Sequence, residues 1–166
     1  MISGHSTGMP VLDAHDDFLR ARRAQIVART ARWLSRGRRR SSAPRTLTDA
    51  AGLVRGAARL EVIPVAEVVG TLEPSVHFDA RFRPASELVR ARWERIALAY
   101  RKGIALPPIA VVQRADGYYV VDGRHRVSVA VALGHRHIEA WVTSVDDARV
   151  RAGTPRTGER RAPCAA

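Results

Sequence analysis

Apolar positions change their rhythm along this chain near Glu61. Upstream, Leu19, Ile26 and Trp33 recur every seven residues, with Phe18, Val27 and Leu34 beside them, the spacing of one helical face. The pattern predicts a helix from an Asp13 N-cap to about Leu34, with Gly37 beyond its end. Asp16 and Asp17 fall in its first turn, where the helix dipole favours carboxylates. Residues 1–12 carry no such pattern and are expected to be disordered. The run RRRSSAP at 38–44 reads as a basic linker, and Thr48 as the cap of a second short helix reaching about Arg59.

Downstream, shorter apolar runs alternate with turn residues. Residues 61–65 predict a strand whose Pro64, having no N–H for the ladder, belongs at an edge or a strand end. Residues 66–71 predict one turn, and 77–84 a polar loop. Ser86 is placed as the cap of a helix to Lys102 that turns Leu88, Val89, Trp93, Ile96, Ala97 and Tyr100 inward, and Gly103 stops it. Strands follow at 109–113 and 118–121, joined at Asp116-Gly117, the composition of a tight hairpin turn. A helix from Arg124 to Leu133 ends at Gly134, residues 138–143 form a last buried strand, and 146–150 add a helical turn. The expected fold is α/β: a small mixed sheet with helices packed on it. Its organisation is a disordered start (1–12), a basic helical extension and linker (13–60), a compact domain (61–143) and a mobile tail (144–166).

Composition narrows the class. Of 166 residues, 46% are apolar and only 5% aromatic, so aliphatic side chains must fill the core. No apolar run is long enough for a membrane span, and the first ten residues are too polar for a signal peptide. The single cysteine, Cys164, excludes a disulfide framework and a cysteine-built metal site. The expectation is a cytoplasmic protein with no membrane partner and no metal; His135 and His137 are too few for a metal site and read as exposed turn residues.

The net charge is +12, and Lys102 is the only lysine among 28 basic residues. Arginine suits bidentate phosphate contacts, although GC-rich codon usage produces the same bias. Residues 1–60 hold twelve arginines against four carboxylates, so much of the positive charge precedes the compact domain. Arg20, Arg22, Arg23, Arg38, Arg39 and Arg40 are the candidate contacts to nucleic-acid phosphates, an interaction that would weaken steeply with salt. The alternative is that the apolar stripe of the first helix docks on the domain and leaves its arginines in water.

The densest chemistry lies at the strand-turn-helix around Gly123. A strand stops on Asp122, turns at Gly123 and starts a helix with Arg124, His125 and Arg126. A helix start carries unpaired N–H groups and partial positive charge, so three cationic side chains there need something negative. Phosphate is the simplest such partner. Backbone N–H groups of the turn would hold its oxygens, Arg124 or Arg126 would add charge, and His125 could donate from either nitrogen. Ser128 supplies a hydroxyl or a small packing residue. The plainer alternative is that Asp122 pairs with a neighbouring arginine and Gly123 only permits the turn.

The order of these pieces resembles a known superfamily. The Trp93, Ile96, Ala97 helix, the glycine after it, Leu-Pro-Pro-Ile at 106–109, the hairpin, Asp-Gly-x-His-Arg at 122–126 and Ala-Leu-Gly at 132–134 resemble the ParB/sulfiredoxin fold over about 61–143. The chain looks like small proteins similar to the ParB N-terminal domain. In ParB proteins the corresponding Gly-Glu-Arg-Arg-x-Arg stretch binds nucleotide phosphates; here Gly123 and Arg126 match, His125 stands for the first arginine and Ser128 replaces the last. The region equivalent to 78–83 helps close that pocket, which makes Arg81 and Arg83 second candidates, with solvated loop arginines as the alternative. ParB proteins also carry a helix-turn-helix domain after this fold, for which the residues beyond Thr143 are too few, so site recognition by that route is not expected. Sulfiredoxin attacks with the cysteine of Gly-Cys-His-Arg, and Arg124 occupies that position. Free-serine kinases of the superfamily share Asp-Gly-x-x-Arg and need a carboxylate base, for which Asp122 and Glu94 are the candidates. No carboxylate cluster supports a nuclease.

The leading expectation is therefore a nucleotide- or phosphate-binding ParB-like module associated with DNA. Its implied cofactor is a nucleoside triphosphate, CTP or ATP, with Mg²⁺. A small-molecule phosphotransferase using the same pocket is the first alternative, and a non-catalytic interaction domain the second.

Overall fold

The computed structural model describes residues 7–34, 43–47 and 57–144. In chain order these form α1 (Pro10–Leu34), β1 (Arg45–Thr46), β2 (Arg59–Pro64), β3 (Val68–Thr71), α2 (Arg90–Arg101), β4 (Ile109–Arg114), β5 (Gly117–Asp122), α3 (Arg124–Leu133) and β6 (His137–Ser144). The sheet order is β1-β3-β5-β4-β6-β2. Pairings β1–β3, β3–β5 and β4–β6 are parallel, while β4–β5 and β2–β6 are antiparallel. The α/β fold with a mixed sheet and an N-terminal helix is the one the patterning implied.

Two apolar layers meet on α3. Val127 and Ala130 pack with Ile63, Ile109, Val111, Val120, Ala140 and Val142 of the sheet. On the other side, Val129 joins Trp93 and Ala97 of α2 and Ala14, Phe18 and Ala21 of α1. Covered on both sides over Val127–Ala130, the helix has no polar face there, which explains VSVA but not the exposed Val131 and Ala132 that follow. Pro64 closes β2 at the sheet edge, where its missing N–H costs no ladder bond.

Several elements differ from expectation. Helix α1 begins at Pro10, a residue pre-set for the first helical position, so Asp13 lies inside the first turn instead of capping it. Its buried face is Ala14, Phe18, Ala21 and Gln25, whereas Ile26, Val27, Trp33 and Leu34 are exposed. Carboxylates decide this rotation. Arg101 of α2 donates from Nε to Asp17 Oδ2 at 2.7 Å and lies 3.4 Å from Asp13 Oδ2, which draws the 13/17 side against the domain. Phe18 then meets Trp93 edge-on, with ring centroids 5.5 Å apart.

The turn expected over 66–71 is confined to a 3-10 turn at Val65–Glu67, and residues 68–71 form a strand. Gly70 is required there: an added Cβ would meet the Arg45 carbonyl and lie 2.8 Å from the Tyr119 ring. The β1 strand opposite it is only two residues long and left no alternation to read. Loop 77–84 is packed rather than solvated, with Phe78, Asp79 and Phe82 buried. Ser86 does accept a bond from the Leu88 N–H, but the first turn is 3-10 and leaves Leu88 exposed. The second helix expected at 48–59 falls largely outside the described residues, and Arg59 belongs to a strand. Residues 1–6, 38–42 and the helical turn at 146–150 also lie outside them.

Candidate functional site

Strand β5 ends at Asp122, and Gly123 turns the chain with φ +104° before α3 starts. Only glycine adopts that dihedral without strain, and a Cβ would sit 2.5 Å from Ile109 Cγ2. Arg126 holds this turn from inside the helix. Its Nη2 donates to Asp122 Oδ2 at 2.6 Å, and its Nη1 donates to the Pro108 carbonyl at 2.7 Å and to that of Pro107. Its guanidinium is therefore engaged with protein, so Arg126 clamps the Leu-Pro-Pro segment to the start of α3.

Arg124 is differently placed. Among the described residues it has one long ion pair, 3.5 Å to the exposed Glu73, a contact of the kind worth little in water. His125 is half-buried, with its ring edge-on to Phe78 at 5.1 Å. Burial pushes its pKa down to about 4, and the charges of Arg92, Arg124 and His77 push the same way against Asp122. At neutral pH His125 is thus an uncharged ring with one donor and one acceptor nitrogen. The His77 Nδ1 atom is buried without a hydrogen-bond partner. Arg92, exposed on α2, has no carboxylate partner among the described residues. The start of α3 therefore combines unpaired helix N–H groups, two arginines and two histidines.

A family model described as the ParB N-terminal domain matches residues 60–154, more than half of the chain. The chain belongs to the ParB N-terminal domain family. Among solved structures, it is similar to sulfiredoxin from Arabidopsis thaliana at 17% identity and TM-score 0.36, over 57% of this chain and 94% of that one. It is also similar to a Pnob8-like ParB-N domain at 18% identity and TM-score 0.36, over 57% of this chain and 33% of the other. None of the curated proteins matches.

In this ParB N-terminal domain the other residues singled out from sequence scatter. Ser128 is buried and accepts a hydrogen bond from Trp93 Nε1 at 2.9 Å, which makes it part of the α2–α3 contact. Arg83 donates to Asp79 Oδ2 at 2.9 Å and to the Ala24 carbonyl of α1 at 3.0 Å, tying loop to helix. Arg81 lies in a separate cleft beside Arg45 and Arg136. Glu94 sits on the α1–α2 junction, 2.9 Å from His15 Nδ1 and 2.8 Å from Arg90 Nε. Burial raises its pKa, but hydrogen bonds from Arg90 and His15 outweigh that and leave it below the usual glutamate value. Of the two carboxylates considered as a base, Glu94 is committed to that junction and Asp122 is paired with Arg126.

The N-terminal arginines divide similarly. Arg20 pairs with Asp17, and Arg22 bonds Gln25 Oε1 at 3.0 Å and approaches Glu87 at 3.4 Å. Arg23 is exposed, and Arg38, Arg39 and Arg40 lie outside the described residues. Among the described residues, no group of three or more acidic, histidine or cysteine side chains is set to hold a metal, and no helix is long and apolar enough to cross a membrane.

Arg92 and His77 were missed from sequence. Arg92 is adjacent to the core residue Trp93, a position that signals a helix flank but not a neighbour in α3. His77 opens the loop that carries Phe78 against His125, a long-range contact no local spacing encodes.

Proposed function

We propose that this chain is a ParB-like module that binds a nucleotide through its phosphates at the start of α3. The observation that carries the reading is the excess of positive charge around His125: Arg92, Arg124 and His77 act on it against Asp122, and among the described residues the ion pair of Arg124, to Glu73, is long and exposed. The backbone N–H groups of Arg124 and His125 would hold phosphate oxygens, and the two arginines would neutralise them. Neutral His125 would donate one N–H. Arg126, with Asp122, fixes the turn that aims these groups. A Mg²⁺ ion, where needed, would arrive with a CTP or ATP ligand.

Association with DNA belongs to the same proposal and rests on the arginine excess of residues 1–60. Arg23 with Arg38, Arg39 and Arg40 is the set that carries it. Calorimetric titration with CTP, ATP and ADP, with and without Mg²⁺, tests the nucleotide reading. Binding that weakens at least tenfold in Arg124→Ala and Arg92→Ala supports it, and no heat with any nucleotide removes it. DNA binding that is absent, or insensitive to salt, removes the second part.

A further inference from the structure

A cleft of about 920 Å³ opens between the 3-10 turn, β3, loop 77–84 and the last turn of α3. Its walls are apolar, with Val65, Val68, Val69, Phe82 and Val131 contributing. Three arginines from distant parts of the chain line it, Arg45, Arg81 and Arg136, and among the described residues no carboxylate does. Arg81 and Arg136 have no carboxylate partner among the described residues, while Arg45 makes an exposed pair with Asp116 at 3.3 Å that a ligand can compete with.

The end of a helix carries partial negative charge and would by itself repel an anion. Here two of the last four carbonyls already accept bonds: Gly134 N–H donates to Val131 O at 3.2 Å and His135 N–H to Ala130 O at 2.9 Å. The arginines therefore set the sign of the cleft. Its size falls within the range of about 300–1,000 Å³ usual for small-molecule sites, and apolar walls with a few convergent polar groups are the usual make-up of such sites. Inorganic phosphate would leave these walls wet.

We infer that this cleft binds a small organic anion with an apolar body, an aryl or acyl group bearing a carboxylate, sulfonate or phosphate. The site is separate from the start of α3 and does not depend on that reading. The apolar body lies against Val68, Val69, Phe82 and Val131, and the anionic group meets Arg81 and Arg136.

Titrating the full chain with 8-anilinonaphthalene-1-sulfonate tests it, read by fluorescence and by methyl NMR. The expected result is one equivalent bound, with shifts at Val65, Val68 and Val131. Affinity should fall at least tenfold in the exposed double variant Arg81→Gln/Arg136→Gln and stay unchanged in Arg124→Ala. The uncharged analogue N-phenyl-1-naphthylamine should bind at least tenfold more weakly. No binding, binding indifferent to the two arginines or to the sulfonate, or shifts confined to Ile26 and Leu34 of α1 would each overturn the inference.

Discussion

Arg126 reaches back one helical turn to Asp122, Nη2 to Oδ2 at 2.6 Å, while its other nitrogen is held by the carbonyls of Pro107 and Pro108. The Asp122 side chain is 70% exposed, so the ion pair itself adds little, and the bonds to the two carbonyls matter more. Arg126→Ala should therefore destabilise the fold by about 1.5–3 kcal/mol, the range for hydrogen bonds made by a charged group. Asp122→Asn should cost under about 1 kcal/mol. Urea unfolding of the two variants checks the ranking.

The docking of α1 gives a second prediction. Asp17 is buried, and the hydrogen bond to it is the first cause raising the Arg101 pKa. Arg101→Ala leaves Asp17 and Asp13 buried with this partner gone, and should cost on the order of 3 kcal/mol. Replacing Asp17 with Asn, which keeps the shape and removes the charge, should cost less. Equal losses from the two substitutions would mean that packing, not the ion pair, holds the helix.

The rotation of α1 is testable by truncation. Phe18→Ala should lose about 3–5 kcal/mol, and Trp33→Ala should change stability by less than about 0.5 kcal/mol, because only Phe18 is buried. The heptad spacing, which puts Trp33 on the same stripe as Phe18, predicts a loss from both substitutions, so chemical denaturation of both variants separates the two arrangements.

What the patterning conveyed depended on whether the deciding contact was local. Helix α3 runs from Arg124 to Leu133 as expected, because Gly123 and Gly134 bracket it and each takes a positive φ. The hairpin between β4 and β5 was legible from Asp116-Gly117 for the same reason. The α1 face was not, since Asp13 and Asp17 look like outward polar positions until Arg101, more than eighty residues later, pairs with them. The β3 strand was obscured by the irregular register between Val68 and Gly70. At the candidate site, Gly123, Arg124 and His125 were legible as one strand-turn-helix, whereas Arg92 and His77 reach it from other elements.

His125 also makes stability depend on pH. Its folded pKa lies near 4, below the ordinary 6.5, so between those values the unfolded chain binds more protons than the folded one. The contribution is fully present above about pH 6.5 and is lost as pH falls toward 4. His125→Gln, which keeps a polar ring-sized group and removes the titration, should flatten this part of the stability profile measured by thermal unfolding from pH 4 to 7.

The most direct measurement is an NMR titration of the His125 ring with and without CTP or ATP and Mg²⁺. Alone, it should titrate near 4. An anion seated beside Arg124 and Arg92 cancels the charge that depresses it, so nucleotide should raise its pKa by a unit or more, and the shift should shrink in Arg124→Ala. A His125 titration unchanged by millimolar nucleotide would contradict the account.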